Sequence, residues 1–388
     1  MGNLPDRNDR ISSAQPRFSG TTLGIVLLTL SLGFAMLCSE VLLRLFWPQE
    51  LGTWIYTRDG ITTHFSNMKQ YSNKFGHYIE TNSAGMRDRE HAVAKTPGDF
   101  RILVLGDSFM EAYQVQFQDS FVSILENGLQ AAAGKHVEVI NGSVSGWGTD
   151  DELAYLVRQG LQYEPDLILV AMTIHNDIND NLMEEYHTFK DGRLEERPIT
   201  LLPWGSYALL KVKEWLNARS HLYRLVFQAT KAQWISEQGK VLESHVGGLL
   251  RKAPPDRIRA GWDMTEALFA KLVSISRERG AAVSVMLLPL SVQVYPEGLD
   301  SFLKWNGLQR KEIDLGRPQQ LMTEMGQKLD FAVLDLLPVF RAEKESCRCE
   351  LFVKNDGHWN ERGHAIAAIY AVEQLLARHI VHVSKSGL

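Results

Sequence analysis

Cysteine is scarce in this chain: Cys38, Cys347 and Cys349 are the three in 388 residues. Three cysteines cannot build the framework of a disulfide-stapled domain, and their arrangement is not that of a zinc site. Cys347 and Cys349, in ESCRCE, either close a tight loop in an oxidising compartment or stay two loop thiols. An excess of positive charge is missing too. Lys and Arg number 41 against 46 Asp and Glu, a formal net charge of −5, which leaves no electrostatic case for nucleic acid as a partner. There is no internal repeat and no low-complexity tract. Several chemical signatures are incomplete. GDSFM lacks the second Gly of a G-x-S-x-G nucleophile turn. GLQAAAGKH has one residue too many for a phosphate loop and no Ser or Thr after Lys135. GWG at 146–148 lacks the third Gly of a dinucleotide site, and His175, His187, His358 and His364 show no metal spacing. No cofactor and no metal is therefore expected.

One long apolar run is present near the N-terminus. Residues 18–39 carry no charge and as a helix would span roughly 33 Å at about 1.5 Å per residue, enough to cross a bilayer. Arg7, Arg10 and Arg17 precede it, which favours a cytoplasmic N-terminus and export of the rest of the chain. The run reads as a retained anchor, as a cleaved signal with Ser31, Gly33 and Ala35 as the small residues of a cleavage site, or as a core helix. The anchor reading divides the chain into a cytoplasmic tail (1–17), a transmembrane segment (18–46) that meets the inner-membrane bilayer through 18–39, and a single extracytoplasmic (periplasmic) portion.

Beyond it, hydrophobic residues at 45% and charged residues at 22% describe a folded globular protein. Residues 47–100 are aromatic and polar, with short extended pieces around turns, and are expected to pack on the domain that follows. From Arg101 the pattern alternates. RILVL (101–105), HVEVIN (136–141), DLILVAM (166–172), AAVSVMLLP (281–289) and FAVLDL (331–336) read as strands. DSFVSILENGLQAAAG (119–134), TDDELAYLVRQGL (149–161, with Thr149 as N-cap) and ERGHAIAAIYAVEQLLARHI (361–380) read as helices. The third strand is apolar throughout, as a central parallel strand should be. Such alternation predicts an α/β fold: a three-layer αβα sandwich around a parallel five-stranded sheet. This domain is placed at 101–382, with a mostly helical insertion at 183–262 that is either a lid or wall over a site or a stabilising elaboration.

In open parallel sheets the sites form at the carboxyl ends of strands. Four such ends supply a hydroxyl, a glycine, a carboxamide and an imidazole: Ser108 in GDSF, Gly146 in NGSVSGWGT, Asn176 in TIHNDIND, and Asp356 with His358 in NDGHWNERGH. These are the parts of acyl transfer. A serine hydroxyl needs a base to take its proton, and imidazole titrates near working pH. The imidazole needs a carboxylate to hold its tautomer, and a tetrahedral oxyanion needs preorganised N–H donors. Asp107 is expected to cap the helix after Ser108, and Asp335 to be structural. His364 is expected to face the sheet or solvent. Asn82 and Arg87 in NSAGMRD either touch the edge of the site or form a plain turn.

These blocks resemble the SGNH (GDSL-type) hydrolase family. VLGDSF is similar to its first block, INGSVSGWGT to the second, IHND to the third and DGHWNERGH to the last. The resemblance covers 101–380 apart from the insertion and implies an SGNH/flavodoxin-like sandwich. It also implies a Ser108–His358–Asp356 triad, with the Ser108 and Gly146 amides and the Asn176 side chain as oxyanion donors. Two positions depart from the pattern. Ile174 stands where the third block usually has Gly, and Asp356 is two residues before the histidine rather than three. The shorter spacing is similar to the D-x-H-W form of exported polysaccharide O-acetyl-transfer proteins of the same fold, and it leaves open whether Asp356 or a main-chain carbonyl orients His358. The implied activity is an exported, anchored serine esterase acting on small-molecule or glycan acyl esters, O-acetyl esters above all. The alternatives are an O-acetyltransferase fed by a membrane acyl-donor partner, and a non-catalytic glycan-binding protein of the envelope.

Overall fold

A computed structural model of the chain describes residues 20–58, 60–134, 136–183, 185–198, 201–230 and 246–382. The expected cytoplasmic tail, 1–17, lies outside the described residues, as do the first two positions of the apolar run.

Five parallel strands form the centre: β1 (Phe100–Gly106), β2 (Val137–Asn141), β3 (Leu167–Thr173), β4 (Ala282–Leu288) and β5 (Ala332–Asp335). Their order across the sheet is β5-β4-β3-β1-β2, with every neighbouring pair parallel. Side chains alternate faces along a strand, and the core divides accordingly. Leu103, Leu105, Ile168, Val170 and Met172 pack on one side beneath the helices Thr149–Arg158, Asp256–Glu278 and Arg317–Leu329. Ile102, Val104, Leu167, Leu169 and Ala171 pack on the other, beneath Phe121–Ala133, Leu337–Cys347 and Glu361–Ala377. The predicted three-layer sandwich is the observed one. The chain reverses its direction of travel across the sheet between β1 and β3, so the crevice at their carboxyl ends is the topological switch point.

Residues 47–100 carry two short antiparallel pairs, Trp54–Tyr56 with Thr62–His64 and Lys69–Ser72 with His77–Glu80. The stretch after them is tied to the exposed edge of β2. Asp88 Oδ2 accepts from Asn141 N at 2.7 Å, and His91 bridges Asp88 and Glu138. An open strand edge is thereby covered.

Within 183–262 the structure adds something the helical expectation lacked. His187–Lys190 and Arg193–Glu196 form a hairpin whose turn is Asp191-Gly192, both with positive φ. Asp-Gly between alternating apolar residues is a strong hairpin signal, and it stood in FKDGRL unread. Helices come next at Trp204–Arg219 and 221–230. The long helix Asp256–Glu278 then puts Ile258 and Trp262 into the core. The N-cap of Thr149–Arg158 is Gly148, not Thr149, and Asp151 accepts the Gly148 N–H at 3.0 Å.

Gly20–Phe46 is one continuous helix with no buried residue and a mean hydropathy of 2.1 in its apolar window. It is long and apolar enough to cross a membrane. Cys347 and Cys349 are joined as a disulfide, and Cys38 is free.

Candidate active site

Strand β1 ends at Gly106, where a Cβ would lie 2.8 Å from Met110 Cγ and 3.2 Å from Ala171 Cβ. Only glycine lets the next turn sit this close to β3. Asp107 caps the single helical turn Ser108–Glu111, its carboxylate accepting from Phe109 N at 2.9 Å. Ala112 closes that turn in the left-handed region, at φ 57°. Buried Arg87 secures the exit by donating to the carbonyls of Glu111, Ala112 and Val115. Burial pulls its guanidinium down to about 10. Of the two residues singled out in NSAGMRD, Asn82 therefore builds its own turn by accepting from Ala84 N and Met86 N. Arg87 supports the serine turn from below.

His358 arrives from the opposite end of the chain on a loop pinched by the Phe352–Trp359 bridge, where Val353 N donates to His358 O at 2.7 Å. Gly357, at φ +89°, lets the loop double back. The imidazole ring centre lies 4.9 Å from that of Phe109. Its Nε2 is 2.7 Å from Ser108 Oγ, and its Nδ1 is 2.6 Å from Asp356 Oδ1. The two-residue spacing thus still brings the Asp356 side chain to the imidazole. Asp356 has further partners that the sequence did not point to. Lys74 Nζ, from the turn of the second hairpin, donates to Oδ2 at 2.5 Å, and Gln114 Nε2 reaches Oδ1 at 3.3 Å. Burial would raise this carboxyl, but the bonds from Lys74 and His358 outweigh it, so the carboxyl is held below its ordinary value. Asp356 is therefore an anion around neutrality and can hold the Nδ1 proton, leaving Nε2 as the acceptor towards Ser108.

The loops after β2 and β3 complete the rim. Gly146 sits at φ +84° with open space where a Cβ would point. Among the described residues, neither the Ser108 nor the Gly146 amide N–H has an acceptor. Two residues the sequence reading passed over hold the Gly146 loop: Glu111 Oε2 accepts from Ser145 N at 2.6 Å, and its Oε1 lies 3.1 Å from His64 Nε2. Asn176 is placed differently. Its Nδ2 donates to Asp180 Oδ2 at 2.8 Å, and Asp180 in turn feels the charge of buried Asp107. These two acids belong to a buried group with Glu152 and Asp177. Burial first, then mutual repulsion for Glu152 and Asp177, pushes those two well above the ordinary carboxyl range. Burial also raises Asp107 and Asp180 to about 6. The carboxamide thus rests against a group of buried acids whose protons are held more tightly than those of ordinary carboxyls. No motif logic flags Asp180 or Glu152, since both are one-turn neighbours on helices that look ordinary in sequence.

The remaining expectations resolve simply. Asp335 accepts from Leu337 N, the first residue of the helix Leu337–Cys347, at 3.0 Å. His364 is fully buried, its Nδ1 accepting from Phe121 N at 3.3 Å, and burial drives it down to about 3, so it is neutral.

A polarised hydroxyl, an imidazole oriented by an anion and two unengaged amides, all at the switch point of a parallel sheet, define the class of nucleophilic acyl-transfer sites. Residues 251–386 match the family model described as SGNH hydrolase-like domain, acetyltransferase AlgX. It is 42% identical over 72 residues to an arylesterase from Vibrio mimicus, a match spanning 19% of this chain and 36% of that relative's length. Solved structures similar to it include TesA (14% identity, TM-score 0.37, covering 71% of this chain and 98% of that one). An acetylxylan esterase, Axe2, from Geobacillus stearothermophilus is similar at 14% identity, TM-score 0.39, covering 71% and 94%. The acetyl xylan esterase AlAXEase is similar at 10% identity, TM-score 0.41, covering 71% and 100%.

Proposed function

We propose that the chain is an exported, membrane-anchored serine esterase that removes O-acyl groups, O-acetyl above all, from envelope or secreted glycans. The observation that carries this reading is the unbroken path Ser108 Oγ–His358–Asp356, two bonds of 2.7 and 2.6 Å, the first between residues 250 positions apart. Ser108 Oγ attacks the ester carbonyl while His358 Nε2 takes its proton. The carbonyl π pair moves onto oxygen, and the Ser108 and Gly146 amides receive that charge. Asn176 joins them by turning one N–H from the buried acids towards the oxyanion. Collapse breaks the ester C–O bond, and the imidazolium returns its proton to the departing alkoxide. The acyl group is left on Ser108, and water, deprotonated by the same imidazole, releases it.

A second reading is favoured by the D-x-H-W spacing and by the family model's own description as an acetyltransferase. In it a sugar hydroxyl takes the place of water in the last step, and a membrane acyl-donor partner loads Ser108. Every other residue keeps its role. The helix Gly20–Phe46 is the anchor in both readings, with the domain on the periplasmic side.

The purified full chain and its Ser108→Ala variant, assayed on a panel of acyl esters and acetylated oligosaccharides, separate these readings. Turnover of a small acetyl ester by the wild type should fall by about 10⁴ or more in the variant. Acetyl transfer to an added oligosaccharide faster than to water selects the transferase. A wild type inert on every ester, and unlabelled at Ser108 by a serine-reactive phosphonate, ends the catalytic reading and leaves a glycan-binding protein.

A further inference from the structure

The helix Trp204–Arg219 has an apolar face that is largely exposed, with Arg58 over the Trp204 ring at 3.9 Å as its cover at one end. Trp204, Ala208, Val212 and Trp215 succeed one another at intervals of four, four and three, the spacing of a single helical face, and Leu209 widens that face. Trp204 is 67% exposed, Leu209 58%, Val212 54% and Trp215 52%. The opposite face is engaged. Buried Glu214 accepts from Tyr56 N at 2.7 Å, and Lys211 donates to Tyr56 O at 2.7 Å, so the helix is fastened to the first hairpin with its apolar side outward. Exposed Lys213 and Arg219 border that side.

The place of this helix relative to Gly20–Phe46 says what it meets. Residues 20–39 are uncharged and sufficient for the roughly 30 Å hydrocarbon core of a bilayer, so Glu40 falls at its boundary. Glu40 is bonded to the corner that ends Trp204–Arg219. Its carboxylate accepts from Ser220 Oγ at 2.8 Å, His221 N at 3.0 Å and Leu222 N at 2.9 Å. Arg44 donates to Arg219 O at 2.5 Å. The C-terminal end of the apolar helix is therefore held where the spanning helix leaves the membrane. Phe46 and Trp47, also exposed, lie in the same stretch of chain.

We infer that Trp204–Arg219 lies in the headgroup–acyl boundary of the bilayer as an interfacial helix, its tryptophans and aliphatic residues in lipid and Lys213 and Arg219 among anionic headgroups. Trp at such boundaries and a basic border beside an apolar face are the chemistry of membrane-surface helices. The inference rests on the anchor reading of Gly20–Phe46. Its consequence is that the domain is held by two contacts, one spanning and one lying flat, instead of swinging on a single tether.

The test uses the full chain with Cys38→Ser, reconstituted in phosphatidylcholine–phosphatidylglycerol vesicles. Single cysteines replace Leu209, Val212, Phe34 or exposed Gln327, and each carries an environment-sensitive fluorophore. Lipids spin-labelled near the headgroup and at mid-chain act as quenchers. Blue-shifted emission at 209 and 212, quenched best by the shallow spin label, is expected, with deep quenching at 34 and none at 327. Quenching at 34 without quenching at 209 and 212 overturns the inference and leaves the anchor standing. Blue-shifted but unquenched labels at 209 and 212 also overturn it, because protein then covers the face. Quenching at 209 and 212 without quenching at 34 removes the anchor but keeps the interfacial helix. An absence of quenching at all three removes both.

Discussion

His358 and His91 are both 2.6 Å from a carboxylate oxygen, yet they do different work. His91 has a side chain 2% exposed and spends both ring nitrogens on carboxylates, Nδ1 on Glu138 and Nε2 on Asp88. Those acids are in turn tied to Arg101 and to the edge amide of Asn141. Every atom in that cluster is used, and its effect is to fasten residues 82–95 to strand β2. His358 has a side chain 26% exposed and spends one nitrogen on Asp356 and the other on a hydroxyl. A histidine–carboxylate pair is therefore no mark of a site by itself. What matters is whether the second nitrogen faces a group that can react.

The comparison breaks most sharply at the reacting end. Asp356→Asn should lower kcat/KM for an acetyl ester by about 10³–10⁴, because the amide no longer holds the imidazole in the right tautomer. The melting temperature should change little. A loss under tenfold would show that Asp356 does not orient His358.

His91→Gln should do the reverse: destabilise the fold by about 3 kcal/mol, since buried Asp88 loses its cationic partner and Glu138 is left with Arg101 alone, while kcat/KM is unchanged. The sign of its pH dependence is set by direction. Burial lowers the His91 value, but the bonds from Asp88 and Glu138 outweigh it and the net shift is upward. A raised histidine adds stability below its unfolded value of roughly 6.5 and loses it as pH climbs through the folded one. Denaturant titrations of wild type and variant should therefore converge as pH rises above neutrality. Curves that diverge there would mean His91 is held neutral.

The smallest effect is expected at Lys74→Met. Without the ammonium, Asp356 returns towards its ordinary value. A depressed carboxylate supports activity above its own pKa and loses that support as pH falls through it, so the acid-side loss of kcat/KM should begin at higher pH. At neutral pH the change should be a few-fold at most, and Lys74→Arg should restore the wild-type profile. A profile that does not move would make Lys74 a surface contact with no bearing on the triad.

Periodicity was enough to read the five strands and the residues at their carboxyl ends, because a two-residue repeat and a buried apolar run are local properties. The residues that support the site were not legible. Lys74, Glu111, His64 and Asp180 belong to a turn, two helices and a short strand whose local patterns are ordinary, and each matters only through a partner far away in the chain. The hairpin at 187–196 is a different case: its Asp-Gly turn was visible, but helical spacing on its C-terminal side dominated the reading of that stretch.

By itself, then, the amino-acid order determined a parallel sheet, an apolar helix of membrane length and the short list of groups able to perform acyl transfer. Residue type and spacing alone set those. Tertiary structure decided that the serine, the imidazole and the carboxylate met, that this carboxylate stayed charged, and which helix face was left largely exposed. Those outcomes depend on distances and burial between segments up to 282 positions apart, as between Lys74 and Asp356, and no local pattern encodes them.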